Sequence, residues 1–361
     1  IGYSAALPDM SFDSFHIMAK DATEEEELAL TVKMVDDYQK ECKALNINPR
    51  YYNTMQNAKD VGMLFEHLGY EKYNLYGSSY GTRLARAVQD MFPEFVNSSV
   101  LDSPDPMTGD FLIDRLDSYS EALEKIFSYC KTTPDCDQSY PDLKDNYFEA
   151  ISKLKKESIK TTVHDSIDFH INAQDGIYLL RRLLYRGDSR EKAPELIKAF
   201  VEGEGEVISE IVEFEYMFTG ILNMSMLLSV EKTENFTPNI TNQMIEKTYE
   251  DYPLIPAKMG FFDAFYRAGT NWHNNVLPME DRKFNDSDLP TLIFVNQFDP
   301  VTPPENGHIF MNDLTNGTLL ILDEGGHGSG NAECKNRVMI DFMNNPSKTL
   351  DTSCLNIYEE D

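Results

Sequence analysis

Residues 73–85 decide the fold of this chain, and they read Tyr-Asn-Leu-Tyr-Gly-Ser-Ser-Tyr-Gly-Thr-Arg-Leu-Ala. A short apolar run leads into the pattern Gly-x-Ser-x-Gly, which is centred on Ser79 and followed by residues typical of a helix. Glycines are expected on both sides of Ser79, because a side chain there would collide with the backbone of a sharp strand-to-helix turn. The pattern predicts that Ser79 is exposed at the end of a strand. An ordinary Gly/Ser turn is the alternative.

The flanking sequence alternates helical patterns with short apolar runs. Residues 23–45 predict a helix capped by Thr23, and residues 53–69 predict a second helix that ends at Gly69. Buried strands are predicted at residues 73–76, 96–101, 291–295 and 318–322, and a closing helix at residues 338–343. This alternation indicates an α/β fold with a mostly parallel sheet.

The residue pattern changes in the middle of the chain. From residue 105 to residue 285 helical patterns dominate, and Met-rich and aromatic segments replace β-branched runs. Residues 1–104 and 286–361 are therefore predicted to form one core, with residues 105–285 as a helical insertion. A chain of 361 residues is long enough for one large domain with an insertion, or for two domains.

The composition is globular and strongly acidic. Asp and Glu number 61 against 32 Lys and Arg, so the formal net charge is −29. Such a surface repels phosphate backbones and anionic lipids, which argues against nucleic acid and membrane surfaces as partners. No apolar run reaches the roughly 18 to 20 residues that span a bilayer, so no membrane span is predicted.

A serine hydroxyl needs a base and an acid to act as a nucleophile. Among seven histidines, His327 has the best position, because it follows the last strong strand within the glycine-rich residues 325–328. Asp299 follows the preceding strand in a proline-rich loop, where its carboxylate would orient the imidazole. Asp102, which follows the predicted strand at residues 96–101, is the alternative acid. The predicted catalytic group is Ser79, Asp299 and His327.

An oxyanion formed by attack of Ser79 needs two hydrogen-bond donors. The backbone N–H of Tyr80, directly after Ser79, is predicted to supply one of them. The second donor usually comes from a glycine-rich loop near an early strand, and no such loop precedes Ser79. The first strands of the sheet are therefore expected to be missing from this sequence.

The cysteines and the N-glycosylation sequons indicate in which cellular compartment the protein resides. Two local disulfides fit the cysteine spacings and leave one cysteine over; five reduced cysteines in a cytosolic enzyme are the alternative. The five are Cys42, Cys130, Cys136, Cys334 and Cys354. No spacing matches a zinc site, and no metal or organic cofactor is predicted. Sequons that mildly favour a secretory route occur at Asn97, Asn223, Asn235, Asn239, Asn285 and Asn316.

These motifs resemble those of the tripeptidyl aminopeptidase and prolyl aminopeptidase group of α/β-hydrolases. The matching segments are residues 73–85, 101–104, 296–304, 325–328 and 350–354. The resemblance implies an α/β-hydrolase core with a helical cap at residues 105–285. It also implies that Ser79 is the nucleophile, Asp299 the acid and His327 the base. Disulfides Cys130–Cys136 and Cys334–Cys354, and a secreted or otherwise extracytoplasmic location, follow from the same resemblance.

The chain departs from that group at several positions. Ser78 stands where many relatives have a second glycine. Lys232 stands where relatives tend to have a cysteine before an acidic residue. Glu234 is therefore the candidate for recognising a substrate's free α-amine. Met10 stands where relatives can have a cysteine that pairs with one like Cys42, so Cys42 is expected to be free. Residues 1–4 resemble the end of an early strand motif, and the preceding strands are expected to lie upstream of them.

The leading hypothesis is a serine exopeptidase that acts through an acyl-enzyme. Its partner would be a peptide with a free N-terminus, from which it releases single residues or short peptides. A carboxylesterase acting on small esters is the second hypothesis, because the same three residues would serve it. A non-catalytic binding module on a hydrolase scaffold is the third. The number of residues released, any proline preference and the oligomeric state stay open.

Overall fold

A computed structural model describes residues 6–107, 109–164, 166–323, 325–328 and 330–359. The motif expected at residues 1–4 lies outside these ranges. Two compact units are present. The helical unit comprises the chain up to Tyr52 together with Asp110–Leu183 and Arg190–Leu277. The sheet unit comprises Asn53–Gly109, Leu184–Ser189 and the chain from Pro278 onward.

The described ranges contain six strands and fifteen α-helices. The strands are β1 Tyr73–Ser78, β2 Val96–Asp102, β3 Ile159–Val163, β4 Ile167–Ile171, β5 Thr291–Asn296 and β6 Gly317–Leu322. The helices are α1 Ser11–Met18, α2 Glu24–Ala44, α3 Thr54–Leu68, α4 Tyr80–Met91, α5 Phe111–Thr132, α6 Pro134–Ser139, α7 Leu143–Leu154, α8 Ala173–Leu183, α9 Ser189–Glu202, α10 Glu206–Thr219, α11 Met224–Glu234, α12 Asn242–Tyr249, α13 Phe261–Gly269, α14 Pro304–Met311 and α15 Ala332–Asn344.

The sheet unit is built on four parallel strands in the order β1-β2-β5-β6. Val100 of β2 is paired with Tyr76 of β1 on one side and with Leu292 of β5 on the other. Leu292 is in turn paired with Thr318 of β6. The carboxyl ends of all four strands therefore meet at one edge. The predicted mostly parallel sheet of an α/β fold is confirmed.

Helices cover both faces of this sheet. Successive side chains of a strand point to opposite faces. Leu101 and Ile293 pack with Phe310 of α14 on one face, while Val100 and Leu292 pack with α15 on the other. β5 is buried along its whole length, and its central residues 292–295 form an uninterrupted apolar run, as expected for a strand covered on both sides.

Capping residues set the helix limits that the sequence predicts. Thr23 and Glu26 form a reciprocal capping box at the start of α2. The Asn53 side chain accepts a hydrogen bond from the Gln56 N–H at the start of α3, and Gly69 ends that helix with a φ of 70°. The two predicted helices at residues 23–45 and 53–69 are confirmed by these bounds.

The boundaries of the two units differ from the predicted ones. Residues up to Tyr52 belong to the helical unit, because α1 and α2 bury their apolar faces there. Phe15 of α1 contacts the rings of Phe169 and Tyr216, at centroid distances of 5.5 and 5.2 Å. Residues 184–189 instead belong to the sheet unit. The antiparallel hairpin β3–β4 within the insertion was not predicted from the sequence.

The cysteines lie in two close pairs. Cys130 and Cys136 are within bonding distance with Cα atoms 4.9 Å apart, and Cys334 and Cys354 with Cα atoms 5.9 Å apart. Cys42 is a free thiol, as expected, and burial raises its pKa to about 11.

Over the described ranges, no helix taken alone has the length and apolar character needed to cross a membrane. Helices α10 and α11, bent by 78° at their junction, meet the same criteria only when they are taken as a pair.

We expect Leu101→Ala to destabilise the sheet unit strongly, because Leu101 is fully buried in β2, the strand that lies between β1 and β5. The free energy of unfolding should fall by about 2–5 kcal/mol. Leu64→Ala on α3 is the matched control, since Leu64 is 50% exposed, and it should cost under about 1 kcal/mol. Urea denaturation followed by circular dichroism measures both variants. Equal losses would contradict the described burial of Leu101.

Candidate active site

Ser79 lies at a strained turn between β1 and α4. Its backbone has φ 54° and ψ −127°, a left-handed conformation that a residue with a side chain rarely adopts. The Ser79 N–H donates to the carbonyl of Asp102 at the end of β2, at 2.9 Å. Ser79 is half-buried and stands directly before the N-terminus of α4. The predicted strand–turn–helix around Ser79 is present.

The two glycines of the motif have different surroundings. A Cβ on Gly77 would lie 2.2 Å from the carbonyl oxygen of Gly81, so no other residue fits there without a backbone shift. A Cβ on Gly81 would meet nothing within 4 Å. The expected clash is therefore confirmed at Gly77, whereas the expectation for Gly81 is wrong, because the first turn of α4 leaves open space beside it.

His327 lies in a glycine-rich loop after β6. Gly325 and Gly328 adopt positive φ values of 43° and 65°, which let the loop turn back on the strand end. The Gly328 N–H donates to Ser103 Oγ at 2.9 Å. A Cβ on Gly328 would lie 3.7 Å from Ser78 Oγ. These contacts place the His327 loop beside the turn that carries Ser79.

Asp299 holds the His327 ring. The His327 Nδ1–H donates to Asp299 Oδ2 at 2.8 Å. The other carboxylate oxygen accepts the backbone N–H groups of Val301 and Thr302, at 2.8 and 2.9 Å. The Thr302 hydroxyl donates to Oδ2, also at 2.8 Å. With Nδ1 committed to Asp299, the ring nitrogen left for proton transfer is Nε2.

The pKa values of the two groups move apart. Burial disfavours the charged form of Asp299, but His327 and the hydrogen bonds from His327 and Thr302 outweigh it and hold the pKa of Asp299 below its usual range. Burial likewise lowers the pKa of His327, but the Asp299 charge and hydrogen bond outweigh it and raise that pKa above its usual value. An ionised Asp299 therefore supports a positive charge on the ring.

Asp102, the alternative acid, has other partners. Its carboxylate oxygens accept the ammonium of Lys335 at 2.8 Å, and the Tyr76 hydroxyl donates to it at 3.3 Å. The chain thus uses Asp102 to fix α15 and β1 at the strand ends, whereas Asp299 is the carboxylate bonded to His327.

Tyr80 is the first residue of α4, so its backbone N–H points out of the positive end of the helix. Its hydroxyl accepts hydrogen bonds from Thr54 and Asn57 of α3, at 3.2 and 3.0 Å.

Glu234, the last residue of α11, lies in the helical unit and is fully buried. Its role in recognising a substrate amine stays a prediction.

Several site residues could not be found from the sequence. The Tyr185 ring packs on His327 with a centroid distance of 5.2 Å. A Cβ on Gly326 would lie 1.8 Å from the Leu184 carbonyl oxygen, and the Gly326 N–H donates to the Arg186 carbonyl at 3.1 Å. Residues 184–189 thus brace the His327 loop from a distant part of the chain. Thr302 could have been suspected from its place in the loop of Asp299.

No group of three or more His, Cys, Asp or Glu side chains suited to a metal ion exists in the part of the chain that the structure describes.

Two family models match parts of this chain. A model described as "alpha/beta hydrolase fold" matches residues 37–144, in agreement with the parallel sheet and the helices that flank it. A second model, described as "TAP-like protein", matches residues 268–354, the part that contains Asp299 and His327. These two matches confirm the resemblance to TAP-like α/β-hydrolases that the motifs of the chain show.

Several known proteins are similar to this chain at low identity. The Escherichia coli (strain K12) protein named "Putative hydrolase YuaR" is 23% identical over 331 residues, which cover 84% of this chain but 63% of that protein. The chain therefore spans less than two thirds of that relative. A Bacillus megaterium epoxide hydrolase structure is 16% identical, with 82% of this chain and 78% of that chain covered at a TM-score of 0.34. The Oleispira antarctica hydrolase olei00960 is 15% identical, with 82% and 74% covered and a TM-score of 0.35.

Gly77 and Gly81, which differ in the space beside them, allow a matched pair of variants. We expect Gly77→Ala to lose most hydrolytic activity and to lower the melting temperature, because its Cβ would overlap the Gly81 carbonyl. Gly81→Ala should keep activity and gain up to about 1 kcal/mol of stability, since alanine favours a helix. Thermal melting and turnover of an activated ester measure both variants. Equal damage from the two would contradict the described turn.

Proposed function

We propose that this protein is a serine exopeptidase that releases amino acids or short peptides from the free N-terminus of a peptide. The observation that carries the proposal is the strained Ser79 turn at the sheet edge that also carries the hydrogen-bonded His327–Asp299 pair. The resemblance of the motifs to the tripeptidyl and prolyl aminopeptidase group supports a peptidase over other hydrolases, and a model described as "TAP-like protein" matches residues 268–354.

The proposed reaction starts with proton transfer from Ser79 Oγ to His327 Nε2 as Oγ attacks the scissile carbonyl carbon. The oxyanion of the tetrahedral intermediate accepts the Tyr80 N–H at the positive end of α4, and one such donor is worth about 3–4 kcal/mol. His327 then gives its proton to the leaving amine as the C–N bond breaks. An acyl-enzyme on Ser79 remains.

Deacylation repeats these steps with water. His327 removes a proton from water, whose oxygen attacks the acyl carbon, and the proton returns to Ser79 Oγ when the ester bond breaks. Asp299 stays ionised throughout and stabilises the imidazolium. Its depressed pKa supports this role.

An extracytoplasmic location is part of the proposal. The two cysteine pairs at bonding distance support it, because disulfides persist in oxidising compartments. Both pairs close short local segments, of 6 and 20 residues.

A four-substrate panel tests the peptidase assignment. We expect turnover of a tripeptidyl or aminoacyl anilide with a free amine, and a rate about 10- to 100-fold lower when the same tripeptide is N-acetylated, because an ion-assisted hydrogen bond to the amine is lost. A short acyl ester completes the panel. Ser79→Ala is the control and should abolish every rate.

Two outcomes of that panel would overturn the peptidase assignment. Turnover of the ester alone would make the protein a carboxylesterase. No turnover of any substrate, at a melting temperature equal for the protein and its Ser79→Ala variant, would favour a binding module on a hydrolase scaffold.

The pH profile tests the role of Asp299. Only neutral His327 acts as a base, so kcat/KM should fall as the pH drops through a His327 pKa that lies above the usual value. Asp299→Asn removes the charge that raises this pKa, and the acid limb should move to lower pH. The rate should fall by about 10⁴-fold, because the imidazole loses its oriented tautomer.

Asp102→Asn is the matched control for the pH profile. His327 keeps its bond to Asp299 in this variant, and the Asp102 charge raises the His327 pKa less than Asp299 does, so the acid limb should move less than in Asp299→Asn, although loss of the Lys335 ion pair lowers stability. A larger rate loss from Asp102→Asn than from Asp299→Asn would assign the acid to Asp102.

A further inference from the structure

A large cleft lies wholly within the helical unit. Its volume is about 1220 Å³, above the range of about 300–1000 Å³ that is typical of small-molecule sites. The cleft is lined by the last turns of α2 and α11 and by the segment that follows α13. None of its lining residues belongs to the Ser79, Asp299 and His327 group.

The charge of the cleft is opposite to that of the protein. Asp and Glu make up 61 of the 361 residues, about one in six. None of the 18 residues that line the cleft is acidic, and three are lysines: Lys40, Lys43 and Lys232. The lining also contains five asparagine side chains, which can donate hydrogen bonds. The cleft is thus a basic, donor-rich surface on a protein with a formal charge of −29.

Lys232 is the buried cation of this cleft. Only 7% of the residue is exposed, and burial lowers the pKa of its ammonium. The Lys232 Nζ lies 5.0 Å from the centroid of the Phe236 ring. Over the described ranges no carboxylate forms an ion pair with it. The ring and the carbonyl end of α11 offset part of the cost of burial, and an anion in the cleft would offset more.

The neighbouring His273 does not compete for an anion. Its Nε2–H donates to the Ser229 carbonyl at 3.1 Å, and its Nδ1 accepts the Asn275 N–H at 3.2 Å. Burial lowers the pKa of His273 to about 4, so the ring is neutral near pH 7. His273 is a fixed, uncharged part of the wall, and Lys232 supplies the buried charge.

We propose that this cleft binds a small molecule bearing a carboxylate group, with Lys232 Nζ as the anchor of that carboxylate. The inference goes beyond the proposed peptidase activity, since it concerns a separate set of residues. A carboxylate fits better than a phosphate, because the lining contains no arginine and no α-helix begins in it. The Lys232 ammonium is one point charge surrounded by amides, so it suits one carboxylate group of a ligand, such as either end of a dicarboxylate.

Trp272 makes the site directly observable. It is the only tryptophan of the chain, it lines the cleft, and its Nε1–H donates to Ser229 Oγ at 2.8 Å. Titration of the whole chain with glutarate should therefore change the tryptophan fluorescence in a saturable way. Glutaramide, which has the same shape without charge, should not.

Matched lysine variants identify the anchor. Lys232→Met should weaken glutarate binding by at least about tenfold, the scale of one charge-assisted hydrogen bond. Lys43→Met at the exposed rim should change it by less than about threefold, because exposed charges are screened by solvent. Neither variant should alter the rate of ester turnover.

The folding of the variant is checked by thermal melting. Lys232→Met removes a buried charge, so its melting temperature should equal or exceed that of the unmodified chain. If the methionine variant does not fold, Lys232→Gln replaces it, since glutamine keeps the polarity and loses the charge.

Three results would overturn the proposal. The first is the lack of any saturable fluorescence change with glutarate. The second is equal glutarate affinity in the unmodified chain and a folded Lys232 variant. The third is saturation by inorganic phosphate with no response to glutarate, which would assign the cleft to a different anion.

Discussion

The strained backbone of Ser79 is the constraint on which the candidate site depends. A φ of 54° costs about 1–3 kcal/mol for a residue with a side chain, so the surrounding structure must impose it. The hydrogen bond from the Ser79 N–H to the Asp102 carbonyl anchors the turn to β2. Gly77 and Gly81 lie so close together that a side chain at position 77 would not fit. Arg83, fully buried, ties α4 to Asp105 at 2.7 Å. The strained turn therefore places Ser79 directly before the N-terminus of α4.

The parallel sheet brings the other two groups to the same edge. Asp299 and His327 follow the carboxyl ends of β5 and β6, and cross-links between loops hold them there: Thr302 to Asp299, Gly328 to Ser103, and Gly326 to the Arg186 carbonyl. Burial disfavours charge on both partners, yet their mutual interaction prevails and moves their pKa values in opposite directions. A preorganised pair of this kind stabilises charge without reorganisation during a reaction.

Local patterns predict the parts of this protein that depend on local physics. The strands, the helix caps and the order Ser79, Asp299, His327 could be placed because each rests on a short run of sequence. The parts that depend on distant contacts could not. The packing of residues up to Tyr52 into the helical unit, the bracing of Gly326 by Leu184 and the cleft around Lys232 all join segments far apart in the chain. The open space beside Gly81 is likewise a property of the packed structure.

The central claim is that Ser79 is a nucleophile activated by His327. Labelling with a fluorophosphonate, followed by peptide mass spectrometry, tests it most directly, because this reagent forms a covalent bond with an activated serine. We expect one adduct, located on Ser79, that disappears in Ser79→Ala and forms much more slowly in His327→Ala. An unlabelled but folded protein, or an adduct on another serine, would contradict it.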